Sequence, residues 1–433
     1  LIKIIAIFKD HQFVMKPLLK GIAFLEPFWI MAVAPILLLP DRFVPETLIG
    51  TTTTWQPYAF LILAFGWPIR WLVYGRPTRL TPITIPMICL LLWLPVNYWA
   101  AVDKKLALDA LSYLLLGIAL YFAFINWPPT QHHPQRLAWF ILVMGLGLAL
   151  AAPFLSNLAL NTLYQLPGFA PIFNYVKGLT PESVNENVMA GTLVIVWPLF
   201  VALFSQRQVS IRWRLFYGSG TVFIPVILIL SQSRGALIAG AFGLGLLILM
   251  RWPRLSYLVP LFVIAFGYFV YRAGPDVFLE AQSAENPLGG LNIRLEIMSR
   301  TLYAMADFPF TGIGIGNFPR VIPILYPYFL IPPTITVEHS HNIFTQVAVD
   351  LGFPGLIAYL AIHLTVLSLL MKIVNRRDSN LYWYLAAGVL ASLGTMFIHG
   401  LIDATLWGTK PAFMVWLLTA LAILLSIHPA KNS

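Results

Sequence analysis

Four residue types recur in the polar islands of this chain, and each suits a particular chemistry. Arg234 sits in Ser231-Gln-Ser-Arg-Gly235 between two apolar runs with almost no loop. A guanidinium at such a depth is costly unless it is paired or faces water. Together with the free N–H groups that open the next helix, it suits phosphate. Arg294 and Arg300 lie six apart on one helical stretch, so they point to different faces and at most one joins Arg234. Arg294, nearer the glycine turn, is the better candidate. His339 and His341 flank Ser340 ahead of Asn342. A histidine at a water boundary can take a proton or orient a hydroxyl. Two histidines at i, i+2 also suggest a metal, but no third ligand stands close in sequence and there is no His-Glu-x-x-His. Asp403, beside His399 and near Trp407, can orient a histidine or balance arginines. Asn185-Glu-Asn187, just before an apolar run, reads as an outer-face helix cap that touches a polar ligand. Bland alternatives stand beside each: a snorkelling arginine, a solvated helix face for Arg294 and Arg300, a polar cap supplied by Ser340 or Asn342, and a helix-terminal acid touching solvent. Glu26, Asp109 and Asp350 lie in apolar surroundings and form no readable motif.

The elements that must hold these groups are set by composition. Of 433 residues, 59% are apolar and only 10% charged, and the mean hydropathy is +0.80. A soluble domain carries about 25% charged residues. So many apolar side chains cannot be hidden from water, and disorder demands the opposite composition. The apolar runs are continuous rather than alternating, which excludes a transmembrane barrel. An all-α polytopic membrane protein is expected, as a single membrane domain over 1–433. About twelve spans are read, near 22–39, 55–75, 83–101, 106–127, 137–155, 187–204, 214–232, 235–250, 255–272, 343–374, 381–402 and 410–427. The 343–374 run is too long for one upright helix and is expected to start outside the bilayer or to bend at Gly352-Phe-Pro-Gly355. The opening twenty residues, interrupted by lysines, suit a surface amphipathic helix better than a signal peptide. The single cysteine, Cys89, permits neither an internal disulfide nor a cysteine metal site.

The net charge of +10 is explained by loops facing the cytoplasm, not by nucleic acid. One alternating set of loops holds sixteen of the 27 Lys and Arg, with only Asp10 and Asp378 among its acids. That side is assigned as cytoplasmic, with both termini inside. The two long hydrophilic stretches, 156–186 and 273–342, then face the periplasm or its equivalent. Inner loops are short and lack a glycine-rich phosphate cradle. Synthetic chemistry on the outer side has no nucleotide available, so a donor must arrive already activated in the membrane.

The later loop has a readable order. Asn286-Pro-Leu-Gly-Gly290 is turn chemistry. A helix is expected over 291–306, with Ile293, Ile297, Leu302 and Met305 on its apolar positions. Pro309 and the alternating Gly312, Gly314 and Gly316 end it and permit close backbone approach. Tyr326–Pro333 is aromatic and suits an interface. The stretch 273–342 is thus expected to form a catalytic loop capping the membrane surface.

Taken in order, Asn185-Glu-Asn187, Ser231-Gln-Ser-Arg-Gly235, Arg294, the run Asp307 to Asn317, His341-Asn342, Asp350-Leu-Gly-Phe-Pro-Gly-Leu356 and Gly400-Leu-Ile-Asp403 resemble the O-antigen ligase/polymerase superfamily, most closely its ligases. The resemblance is firm across 185–403 and general in the first five spans. It implies an inner-membrane glycosyltransferase that moves a glycan from undecaprenyl diphosphate, on the periplasmic side, without metal, nucleotide or other cofactor. Its acceptor would be the lipid A–core, with another lipid-linked repeat (a polymerase) or a protein Ser or Thr as alternatives. By motif, Arg234 and Arg294 look like diphosphate binders, His341 like the catalytic histidine, and Asp403 like the family's late outward acid. His339, Asn342 and Asn187 complete the expected substrate contacts, and the extra His339 leaves open which ring works. Competing readings are a small-anion (bicarbonate) transporter, which should keep its site near mid-membrane in repeated halves, and a lipid flippase. No internal repeat is found, and the polar candidates gather at the outer face.

Overall fold

A computed structural model describes residues 17–38, 55–156, 158, 171, 175, 184–273, 291–378 and 380–427. The expected surface helix before residue 17, most of the 156–186 stretch and the Asn286–Gly290 turn lie outside the described residues. Among those described, the elements are helices and short turns, and the only pairing of extended backbone is a bridge between Ser156 and Val184.

Every span read from the sequence coincides with helix, but the described residues do not confirm the expected count of twelve. Among the described residues, eight helices are long and apolar enough to cross a membrane, from Lys104–Asn126 to Lys410–Ile427. Pro17–Phe24 and Glu26–Leu38, bent by 46°, make a ninth if taken as one span. The shortfall has local causes. The 55–75 run breaks at Phe65 into Gln56–Ala64 and Gly66–Tyr74, while Thr84–Ala100 and Val259–Ala273 stop at 17 and 15 residues.

Burial is inside out relative to a soluble protein. Large apolar side chains such as Ile85, Leu92, Val222 and Ile264 are exposed, as a lipid-facing surface requires. The main core is an apolar cluster drawn mainly from Lys104–Asn126, Glu186–Phe204, Leu381–Gly400 and Phe413–Ile427. Small residues let these helices approach. Gly191 faces Thr405 and His399, and Gly243 faces Thr395, with no room for a Cβ.

The polar side chains of the early spans have partners. The Arg70 guanidinium meets Glu26 through Nη1 and donates from Nε to the Pro77 carbonyl at 2.6 Å. Asp109 accepts from Gln56 Nε2 at 3.1 Å. These are two of the three acids that looked solitary in the sequence.

The cap is built on the Leu291–Asp307 helix, matching the expected 291–306, and on a small apolar core of its own that includes Ile297, Phe318 and Val337. Gly312, Gly314 and Gly316 all have positive φ (64°, 92° and 74°). Each lies against backbone where a side chain would collide: Gly312 on Asp350, Gly314 on Ala101, Gly316 on Leu106. Asn97 and Asn317 fix this loop. Asn97 Oδ1 accepts from the Ile315 N–H at 2.9 Å, and Asn317 Oδ1 from the Asp103 N–H at 2.7 Å. The long Ile343–Val374 helix is broken at Gly352 (φ 70°, ψ 179°), within the expected bend. There the backbone passes against the Phe310 carbonyl, and the Phe353 N–H donates to Pro309 at 2.8 Å.

Candidate functional site

The cluster is assembled from three separate pieces of chain at one end of the bundle. Asp403 follows directly on the Leu381–Gly400 helix. Its N–H donates to the His399 carbonyl, and its Oδ1 accepts from the Ala404 N–H at 2.8 Å. His339 and His341 come from the segment leading into Ile343–Val374. Asn342 caps that helix, accepting from the Phe344 and Thr345 N–H groups at 3.0 and 3.1 Å. Its Nδ2 donates to the Leu401 carbonyl at 3.2 Å, tying the two segments together. Arg294 comes from the cap helix, and Nη1 donates to the Ile402 carbonyl at 3.3 Å.

Both histidines face one oxygen. His339 Nε2 lies 3.4 Å and His341 Nδ1 3.5 Å from Asp403 Oδ1, with ring centroids 4.6 Å apart. His341 takes φ 55°, a left-handed conformation uncommon for a non-glycine residue and often found where a site holds its backbone. Its N–H donates to His339 Nδ1 at 3.3 Å. That bond places the lone pair of neutral His339 on Nδ1 and its proton on Nε2, pointing at Asp403.

The electrostatics follow from burial and neighbours. Burial pushes His339 down to about 4, against the pull of Asp403, and His341 and Arg294 push the same way. Burial alone would raise Asp403. The His341 hydrogen bond and the charges of His339, His341 and His399 outweigh it and hold the carboxyl well below the usual range. At neutral pH the site is therefore a carboxylate with a neutral His339. Arg294 Nε is buried with no hydrogen-bond partner, a donor left over for an anion.

Ligand atoms of His339, His341 and Asp403 lie within 4.8 Å of one another, a set that could hold a metal ion. The sequence reading looked for a third ligand nearby in the chain; the fold supplies one from residue 403. A cation would need the lone pair of His339 on Nε2. The bond from the His341 N–H favours the opposite tautomer, so the set is better arranged as two donors on one carboxylate.

The remaining candidates fall as follows. Arg234 opens the Arg234–Arg251 helix and is exposed. Its neighbour Gly235 packs on Ile402, where a Cβ would stand 3.1 Å from that side chain. Arg234 thus stands at the same end as Asp403, on another element. Arg300 turns away: it donates to Pro327, pairs with Glu296 at 3.4 Å and lies over Phe329. The cap expected of Asn185-Glu-Asn187 is present, and Asn187 is not the residue that makes it. Asn185 is, accepting from the Asn187 N–H at 2.9 Å, while Asn187 sits one turn ahead of Gly191, which faces His399. Sequence reasoning named His399 and Trp407 only as neighbours of Asp403, with no role of their own, and passed over Gln346. His399 had a signal, being four residues before Asp403 and so on the same helix face. Glutamine and tryptophan carry none.

Fold and site define an all-α polytopic membrane protein with a His–Asp–Arg cluster at one end of its bundle. Residues 219–360 match the family model described as O-Antigen ligase, which supports membership of the O-antigen ligase/polymerase superfamily. The matched stretch holds Arg234, Arg294 and both histidines; Asn187 and Asp403 lie outside it. No curated protein matches the chain. Members of the family are membrane glycosyltransferase-type enzymes.

Proposed function

We propose that this protein transfers a glycan from undecaprenyl diphosphate to an acceptor hydroxyl on the periplasmic face of the inner membrane, with lipid A–core as acceptor. The observation that carries the reading is the convergence of His341, Asp403 and Arg294 from three elements, with a spare guanidinium donor among them. His341 Nδ1 faces Asp403 Oδ1 with no other hydrogen-bond partner, and donating to it leaves Nε2 as the base. The contact at 3.5 Å is long and tightens when substrate fills the site. The acceptor oxygen loses its proton to Nε2 and bonds to the anomeric carbon. The bond from that carbon to the bridging phosphate oxygen breaks, and the lipid diphosphate leaves with the electron pair on that oxygen. Arg294 and Arg234 meet the charge that grows on it, which stabilises the transition state more than the ground state. One displacement inverts the anomeric centre. The proton then passes from His341 to water at the outer face. The side is supplied by the Lys and Arg bias of the loops.

The test is transfer in proteoliposomes with a lipid-diphosphate-linked glycan. His341→Ala, Arg234→Ala and Arg294→Ala are each expected to cut transfer by about a hundredfold or more while folding is kept. Full activity in the His341 and Arg234 variants disposes of the mechanism. Small-anion flux that survives loss of His341 would instead favour a transporter.

A further inference from the structure

Beneath the histidine turn lies a buried carboxylate that this chemistry leaves unused. Asp350 is 2% exposed. Its Oδ1 accepts from Gln346 Nε2 at 3.0 Å and its Oδ2 from Trp407 Nε1 at 2.9 Å. Gln346 is itself buried, and its Oε1 accepts from the Ser340 N–H at 2.7 Å. Ser340 is the residue between the two histidines. Trp407 belongs to the turn that begins at Asp403, its N–H donating to the Ala404 carbonyl at 3.2 Å. One carboxylate therefore fastens both halves of the cluster.

The polarity of this chain of bonds is informative. A backbone N–H only donates, so Gln346 must turn its carbonyl to Ser340 and its NH2 to residue 350. An indole also only donates. Residue 350 stands between the Gln346 and Trp407 donors, with backbone Gly316 also bonded to its carboxyl, and must accept on every side. A carboxylate does so; asparagine offers one acceptor and one donor. A carboxylate that merely filled space would need no such polarity.

We propose that Asp350 is a positioning residue: through Gln346 and Trp407 it sets the separation of the His339–His341 turn from Asp403. The inference rests on the reading of His341 and Asp403 as the reaction centre.

A polarity swap tests it. In Asp350→Asn the new amide opposes a donor, and a Gln346 that rotates to accept from it presents NH2 to the Ser340 N–H. In Gln346→Glu two acceptors face each other. The double variant Gln346→Glu, Asp350→Asn restores each of these bonds: the carboxylate introduced at position 346 accepts from Ser340 and from the new amide, whose oxygen accepts from Trp407. Net charge is unchanged from the parent chain. Each single variant is expected to lower turnover about tenfold or more, with donor KM within about twofold, because small displacements of a base are costly. Amide exchange over residues 338–342 is expected to quicken in parallel. The double variant should recover both to within about threefold. Single variants with unchanged turnover and exchange overturn the proposal, as does a folded double variant as slow as the singles. Should the double variant not fold, Trp407→Phe removes one donor and keeps a ring; slower turnover with faster exchange over residues 403–406 is expected, and no change in either overturns the proposal. Exchange needs no substrate. A parent chain that transfers no lipid-linked glycan, yet whose exchange follows the swap, sinks the transferase reading and supports the network; an active parent chain with indifferent singles sinks the network alone.

Discussion

Asp403 is the residue on which the cluster turns. It is buried, it accepts from one backbone N–H, and two imidazoles face its Oδ1. The cost falls on His339, whose folded-state pKa of about 4 lies below its ordinary 6.5. Between those values the unfolded chain binds more protons than the folded one, so stability is full above about 6.5 and is lost as pH falls toward 4. Asp403 stays ionised across that window and adds no slope of its own. His339→Gln removes the titrating group. The thermal midpoint of the parent chain is expected to fall more between pH 7 and pH 5 than that of the variant, by the equivalent of ~1–2 kcal/mol. Equal falls would contradict the assignment of a neutral, half-buried His339. Arginine, histidine and aspartate were legible in the sequence at this scale, because each is expensive in an apolar run and so announces itself. The supports were not. Gln346 and Trp407 are ordinary residues of a membrane helix and its flank, and Trp407 meets Asp350 across 57 residues of chain.

At the scale of elements, glycines decide how the cap meets the bundle. Gly352 has φ 70°, and a Cβ there would run into the Phe310 carbonyl. Gly147, in the Gln135–Leu155 helix, has nothing within 4 Å of its Cβ position. Gly352→Ala is therefore expected to cost about 2 kcal/mol or more, while Gly147→Ala is neutral or mildly stabilising. Thermal midpoints of the two variants in detergent measure the contrast; a tolerant Gly352 would mean that the break is not held by this contact. The bend at 352–355, the 291–306 helix and the alternating glycine turn were readable, since proline and positive-φ glycine act locally. What those glycines lie against was not, because Ala101, Leu106 and Asp350 are remote in sequence. Asn185 and Asn187 could not be told apart as caps either, both being good cap residues two positions apart.

For the whole molecule, apolar composition was enough to define an all-α membrane fold, and the placement of helices followed. The number of full spans did not, because hydropathy ignores breaks such as that at Phe65. Sidedness, read from Lys and Arg alone, is tested by labelling. In a Cys89→Ser background, Glu338→Cys is expected to react with a membrane-impermeant maleimide on intact spheroplasts, and Arg376→Cys only after lysis. The reverse pattern would put the cluster on the wrong face for a lipid-linked donor.

The pairing of Glu26 with Arg70, 44 residues apart, bears on how the chain is made. A lone ion at the middle of a hydrocarbon layer costs about 3 kcal/mol on insertion scales. The helix bearing Glu26 emerges from the ribosome before its partner exists, so the favoured route is to linger at the translocon until the Arg70 segment arrives, and to partition into lipid together with it as a neutral hairpin.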